Sequence, residues 1–303
     1  MSQGIYAPAA GITGTAAVHK DSSVFVSWAS ACQITRGYQQ IDDSTLGLAS
    51  QGNNLDATRK ADGVAVSLGD GGEGTLTLSM PIFNGPGADF AVFENGFSAN
   101  FLELAFVEVS SNGTDYFRFP TFSNTQDSSQ IGTFGNVEAS HIHNLAGKYA
   151  VNYGTPFDLD DIPVDSLLNK NSITHIKIID VIGNITQSFG TFDSQNNIIN
   201  DPWPTPFASS GFDLDAVGLI HVNGINSIVE RKKSLSIYPN PFIDRLKIEI
   251  DDQIIGMQLV SLSGALIEIG NSKELNLSHL STGVYFLKIT TKTNFYVKKL
   301  LKK

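Results

Sequence analysis

The 303-residue chain is 41% hydrophobic and 17% charged, and its longest apolar runs, such as Leu104–Val109 interrupted by Glu108, are short. A membrane-spanning helix needs roughly 20 apolar residues, so a helical transmembrane protein is excluded, and an aromatic content of 10% excludes wholesale disorder. Charge is unevenly spread: residues 1–220 hold 8 Lys and Arg against 23 Asp and Glu, a net of −15, whereas residues 221–303 hold 12 against 7, a net of +5. An acidic body of this kind repels phosphate backbones, which argues against nucleic acid as a partner.

Met1-Ser-Gln-Gly-Ile-Tyr6 carries no basic segment and no apolar stretch of the kind that makes a signal peptide. Cys32 is the single cysteine, so a disulfide within the chain and a cysteine-rich zinc site are excluded. Beside Trp28 and Ile34 it reads as a small buried apolar residue. Alternating patterns then predict strands at Val64–Leu68, Thr75–Leu78, Phe90–Phe93, Leu102–Val109, Tyr116–Phe119, Ile173–Val181 and Leu214–Val222. Turn clusters such as Asn84-Gly-Pro-Gly87 and Asn95-Gly96 separate them. Asn112-Gly113 predicts a type I′ hairpin, and Glu108 is placed to pair with Arg118. Strands that are apolar on both parities, as at Phe106-Val107 and Ile176–Ile179, suit the centre of a sandwich with loops packed over its outer faces. The run Gly69-Asp-Gly-Gly-Glu-Gly74 has the spacing of a dinucleotide loop, but it leads into a strand, and Asp70 and Glu73 repel phosphate. It predicts a tight strand connection.

The fold class is therefore all-β. A sandwich spans residues 1–222, a polar and charged linker spans 223–234, and a small Ig-like sandwich spans 235–303. Strand candidates of the last unit are Ser234–Tyr238, Arg245–Ile250, Gly256–Ser261, Ala265–Ile269, Gly283–Thr290 and Asn294–Leu300.

Several residues in the large unit are candidates for chemistry. Asp213 and Asp215 flank Leu214, so a strand points both carboxylates to one face. Asp89, Glu94, Asn95 and Glu103 sit at strand ends and add further oxygens. Calcium takes 6–8 oxygen ligands, so these six residues are its candidate site. The alternative is that they cap turns or face water. Asp201-Pro-Trp-Pro-Thr-Pro-Phe207 presents Trp203 and Phe207 on a stiff loop, either as a platform for a sugar ring or as a lid on the core. Tyr149 and Tyr153 are weaker candidates for the same surface. His141 and His143 stand two residues apart, a spacing that offers two imidazoles to a transition metal, with no third ligand evident nearby. No nucleophile elbow and no His-Glu-x-x-His motif occurs, and no carboxylate pair stands out as catalytic.

Toward the C-terminus, Leu235-Ser-Ile-Tyr-Pro-Asn-Pro-Phe242 is followed by Leu246-Lys-Ile-Glu-Ile250, Leu262-Ser-Gly264, Leu277–Leu287 and Phe295-Tyr-Val-Lys-Lys-Leu-Leu-Lys302. This succession resembles the type A C-terminal sorting domain of the type IX secretion system of Bacteroidota. The resemblance implies export through the periplasm, recognition by the type IX translocon, and removal by a sorting protease between Asn223 and Ser234. The cargo is then released or held at the outer-membrane surface. It places the signal in Tyr238, Pro239, Asn240, Pro241, Gly264, Gly283 and Tyr285 and in the basic end, Lys298, Lys299, Lys302 and Lys303. Such cargo needs an N-terminal export signal, which is expected to have been trimmed or to lie upstream.

The large unit, through Gly69–Gly74, Asn84–Asp89, Phe93-Glu-Asn-Gly96, Phe101–Ser110 and Gly211–Val217, resembles uncharacterised bacterial surface proteins. More distantly it resembles the jelly-roll sandwiches of carbohydrate-binding modules. The expected function is a non-catalytic module for a glycan or another extracellular ligand. The alternatives are a glycan-active hydrolase, an adhesive or structural surface protein, and a nutrient-capture protein.

Overall fold

The computed structural model describes residues 6–223, 235–250, 253–262, 264–267, 269–291 and 295–303. The chain divides into two compact units, Met1–Gly224 and Ile225–Lys303. The segment in which cleavage is expected lies, beyond Asn223, outside the described residues.

In the first unit the strands are β1 (Val18–His19), β2 (Ser27–Trp28), β3 (Ala31–Thr35), β4 (Val66–Ser67), β5 (Glu73–Ile82), β6 (Phe90–Glu94) and β7 (Ala105–Ser110). They continue with β8 (Phe117–Arg118), β9 (Phe122–Ser123), β10 (Ile142–His143), β11 (Tyr153–Phe157), β12 (Ile173–Asp180) and β13 (Asp213–Leu219). One antiparallel sheet runs β1-β11-β6-β13-β2 with β4 also on β13, and a second runs β3-β5-β12-β7-β8. On β5, Leu76 and Leu78 turn inward while Thr75 and Thr77 face outward, the period of a half-buried strand. Leu76, Leu78, Val107, Val109, Ile176 and Ile178 of the second sheet meet Phe90, Val92, Leu214 and Val217 of the first in one core.

Both sheets are covered on their outer faces as well, which accounts for the doubly apolar strands. Ala91 and Phe93 of β6 lie against Ala61, Phe25 and Trp28. Phe106 of β7 and Ile179 of β12 lie against Val137, Ile142, Leu145 and Tyr149 from the long segment after β9.

Gly69–Gly74 is a tight connection into β5, and Gly69 and Gly72 in it, with Gly37 beside it, are set by backbone contact. A Cβ at Gly72 would sit 2.0 Å from the Leu68 carbonyl oxygen, and one at Gly37 would sit 2.2 Å from that of Asp70. The Asn112-Gly113 hairpin differs from expectation. β7 and β8 do pair, through Glu108↔Arg118 and Val109↔Phe117, but only Gly113 of the two turn residues has a positive φ, at 76°. Asn112 instead uses its side-chain oxygen to accept the N–H groups of Thr114 and Asp115, both at 2.9 Å, and this Asx turn needs a longer loop. Arg118 donates to Glu108 from Nε at 2.9 Å and Nη2 at 2.8 Å, as expected. Cys32 packs against the core, and burial pushes its thiol up to about 12.

The second unit has β14 (Ser236–Tyr238), β15 (Arg245–Glu249), β16 (Ile254–Ser261), β17 (Leu266–Ile267), β18 (Glu274–Asn276), β19 (Gly283–Thr291) and β20 (Phe295–Lys302). Two antiparallel sheets, β14-β15-β18 and β17-β16-β19-β20, enclose Phe242, Leu246, Ile248, Leu259, Leu287, Ile289 and Leu300.

Candidate functional site

At the ends of β6, β12 and β13 the loops of the first unit bury a group of acids. Glu94 closes β6 at 1% exposure, and neither of its carboxyl oxygens is close and aligned enough with any donor to form a hydrogen bond. Desolvation, then the charges of Asp213 and Asp215, push its pKa well above the usual carboxylate range, and the nearby Gly96 and Asn95 amides only partly offset this. Glu103 is raised in the same way, first by burial and then by Glu94 and Asp213. Burial raises Asp213 and Asp215 to about 6 each. Arg36, whose guanidinium is tied to the carbonyls of Gln51, Ser67 and Gly52, gives Asp213 partial counter-charge.

Of the six expected calcium ligands, Glu94, Glu103, Asp213 and Asp215 lie near enough to affect one another's charge, whereas Asp89 precedes the opposite end of β6. Asp89 is fully buried, with Oδ1 accepting from the Gly85 N–H at 2.8 Å and bonded to His221 Nδ1 at 2.7 Å, and Oδ2 accepting from the Leu159 N–H at 2.8 Å. Asp215 accepts the N–H groups of Asp62 (3.2 Å) and Gly63 (3.1 Å), and Asp213 accepts from the Ser67 hydroxyl. A register shift in β13 falls between Leu214 and Ala216, at Asp215. Asn95 is half-buried. Among the described residues no three His, Cys, Asp or Glu side chains are placed to hold a metal ion. His143 stacks against Tyr6 (5.0 Å) and Phe122 (6.0 Å) in a three-ring group.

Asp180, Asp201 and Asp70 extend the buried acids and hold the loops. Asp180 accepts the N–H groups of Phe212 (2.7 Å) and Gly71 (3.0 Å), and Asp201 accepts that of Leu104 (3.0 Å). Asp70 Oδ2 accepts from the Ile41 N–H and from the Trp203 indole, both at 2.9 Å. Trp203 is 9% exposed and bonded through its one polar atom, so its ring lies in the core and offers no sugar platform. Replacing Trp203 by Phe keeps most of the ring and leaves the buried Asp70 carboxyl with the Ile41 N–H but without its side-chain donor. It is expected to cost about 1–3 kcal/mol in urea unfolding, while a change within error would show that the indole bond carries nothing.

Tyr149 is likewise buried, and Tyr153 is half-buried with its ring edge-on to His19 at 5.1 Å. Phe207 is the exposed member of the expected set. It stacks on Phe134 at 6.2 Å, Phe134 reaches Phe101 at 6.3 Å, and Phe101 stacks on Phe97 at 4.4 Å. Phe97 and Phe134 are 70% and 71% exposed, so three loops present one row of aromatic faces. The residues come from segments far apart in sequence, and the local cue was limited to Phe97 standing after Asn95-Gly96.

In the second unit the Tyr-Pro-Asn-Pro segment clasps the last strand. Asn240 donates from Nδ2 to the Lys299 carbonyl and accepts the Leu301 N–H, both at 2.9 Å. Tyr238–Pro239 and Asn240–Pro241 are cis, and the Tyr238 hydroxyl bonds Glu249. Gly264 lies in a turn at φ 85°, Gly283 opens β19, and Tyr285 is buried with its hydroxyl donating to the Ser281 carbonyl at 2.8 Å. Lys298, Lys299 and Lys303 are exposed. Lys302 is 5% exposed, bonded to the Ile243 carbonyl, 3.7 Å from Asp244 and 5.4 Å from the Phe242 ring centre. Its amine belongs to the fold of the unit rather than to a free basic end.

No curated protein matches the chain. Among solved structures, HBP35 of Porphyromonas gingivalis is similar over 90% of this chain and 64% of its own length, at 13% identity and a TM-score of 0.17, a likeness too low to carry an argument. Residues 236–303 match the family model of the secretion system C-terminal sorting domain. The match spans β14 to β20, the clasp of Asn240 on the last strand and the lysines that end it. Residues 236–303 therefore belong to the secretion system C-terminal sorting domain family, and the chain that carries them is a secreted surface protein of the type IX route.

Proposed function

We propose that residues 6–223 form a non-catalytic module that binds an extracellular glycan, and that the sorting domain delivers it to the cell surface before a sorting protease acts. The observation that carries this reading is the aromatic row in which the exposed rings of Phe97, Phe134 and Phe207 are joined through the buried Phe101, on loops that are pinned to a double sheet. Flat aromatic faces held without loop entropy suit the apolar faces of sugar rings. A hydrolase needs two carboxyls facing one groove, and the acids brought together here are buried and hold loop backbone.

The test is the full chain on an array of extracellular polysaccharides and oligosaccharides. Binding is expected, and the double variant Phe97→Ala with Phe134→Ala is expected to weaken it at least tenfold with an unchanged melting midpoint. An array with no retained glycan would sink the reading.

A further inference from the structure

The first unit also contains a polar cleft that is separate from the aromatic row. Its volume is about 530 Å³, and one wall is the end of β9 with the loop that follows, Ser123 to Asp127. The other wall is the turn closed by the bridge between Phe192 and Ile198, with Gln187 at its margin. That volume lies within the range of small-ligand pockets, about 300–1,000 Å³.

The walls are locked together beneath the cleft. Asp193, at the root of the turn, accepts the N–H of Ser123 across the gap at 2.9 Å. Within its own turn it accepts the N–H groups of Gln195 and Asn197, both at 2.8 Å, and Asn197 Nδ2 at 3.0 Å. Burial opposes its charge, but these bonds win and hold the carboxyl below its usual range. Thr121 and Ser194 add a reciprocal pair, with N–H to hydroxyl at 2.9 Å and N–H to carbonyl at 3.0 Å. Asn200 donates its N–H to Thr125 Oγ1 at 3.0 Å. A cleft fixed in this way loses little conformational entropy when a ligand enters.

Against these engaged groups, the side chains of Asn124, Asp127, Gln187 and Asn196 line the cleft with no hydrogen-bond partner among the described residues. Asn196 is held at φ 64°, a left-handed position that asparagine tolerates. Phe192 adds an exposed ring beside them. The free groups are three amides, each both donor and acceptor, and one carboxylate. No Lys, Arg or His lines the cleft, so an anionic ligand would meet Asp127 and the acidic body with no counter-charge. Dense hydrogen bonding, mostly from neutral amides, beside one aromatic face matches a neutral saccharide. Asp127 is the only acid in the lining, which leaves no second carboxyl for glycosidic cleavage.

We propose that this cleft is the specificity site of the module and holds a neutral sugar residue of its ligand. The inference rests on the glycan reading above, and the experiment separates the two. The full chain is titrated against neutral oligosaccharides retained on the array and against their sialylated or sulfated counterparts. Variants are Asn124→Ala, Gln187→Ala and Asn196→Gly, the last of which keeps the left-handed backbone. Each is expected to weaken neutral-saccharide binding about tenfold at an unchanged melting midpoint. Binding lost only in the Phe97/Phe134 variant and untouched by all three substitutions overturns the cleft and leaves the glycan reading intact. Preference for the anionic series overturns the sugar class, and no binding to any member removes both readings.

Discussion

Replacing Asp89 by alanine is expected to lower the melting midpoint of the N-terminal unit by about 10 °C. This carboxylate is fully buried and engages the Gly85 and Leu159 amides and His221 across three segments, at 2.7–2.8 Å. Truncation leaves those groups desolvated and unpaired, at about 1–3 kcal/mol for each amide, and removes the tie between the 84–89 turn and the Asp158–Asp161 segment. In a unit of this size 1 kcal/mol moves the midpoint by about 2–4 °C. Asp89→Asn retains one acceptor and should fall between the two. Calorimetry of the full chain reads the result, with the sorting domain's transition as an internal reference. An Asp89→Ala midpoint within a degree or two of the parent would show that the clasp contributes nothing.

The same unit is expected to melt higher at pH 5 than at pH 8, opposite to a protein held by surface ion pairs. Asp213 and Asp215 keep their protons in the fold up to about pH 6, and Glu94, Glu103, Asp180 and Asp201 keep theirs to well above the usual range, chiefly because burial penalises the charged form. In the unfolded chain these groups release protons near pH 4. Between those limits the folded state binds more protons, so stability falls as pH rises through the folded values, and their contribution is complete only below the unfolded ones. For Asp213 alone the whole span amounts to about 3 kcal/mol, of which about half falls between pH 5 and pH 8. At Glu94 burial outweighs what the nearby Gly96 and Asn95 amides offer the charge, so Glu94→Gln should raise the midpoint at pH 8 and shrink the gap between the two pH values. A steeper dependence in that variant would contradict the assignment. Melts in millimolar calcium and in EDTA are expected to overlay. A rise with calcium that Glu94→Gln abolishes would place an ion at Glu94 instead of a proton.

The aromatic row and the polar cleft make separate demands on the same loops. Those loops are stitched by Gln130, which donates to the Gly183 carbonyl at 2.9 Å and accepts the Ile185 N–H at 3.0 Å, and by Asp201 on Leu104. The buried acids thus serve the binding surface indirectly, by fixing loop backbone without regular secondary structure. In the sorting domain the clasp of Asn240 on the last strand plays a comparable part. It ties the start of the unit to its end, and the buried Lys302 amine closes the same corner.

The features legible in the amino-acid order are those written in short stretches of chain. Alternation of Leu76 and Leu78 with threonines, doubly apolar runs at Phe106-Val107 and Ile176–Ile179, and the Tyr-Pro-Asn-Pro segment mark strands, central positions and the sorting domain without reference to distant residues. Glu108 and Arg118 could be paired because a hairpin brings neighbours in sequence face to face. The site was different. Trp203 became a core residue because Asp70, 133 positions away, takes its indole N–H. Asp89, Asp213 and Asp215 became clasps because segments distant in sequence supply donors. The four phenylalanines and the cleft amides are ordinary residues on three or four separate loops. Only the closure of the two sheets decided which loops meet, and with that which carboxylates are buried, which rings stay exposed and which amides are left for a ligand.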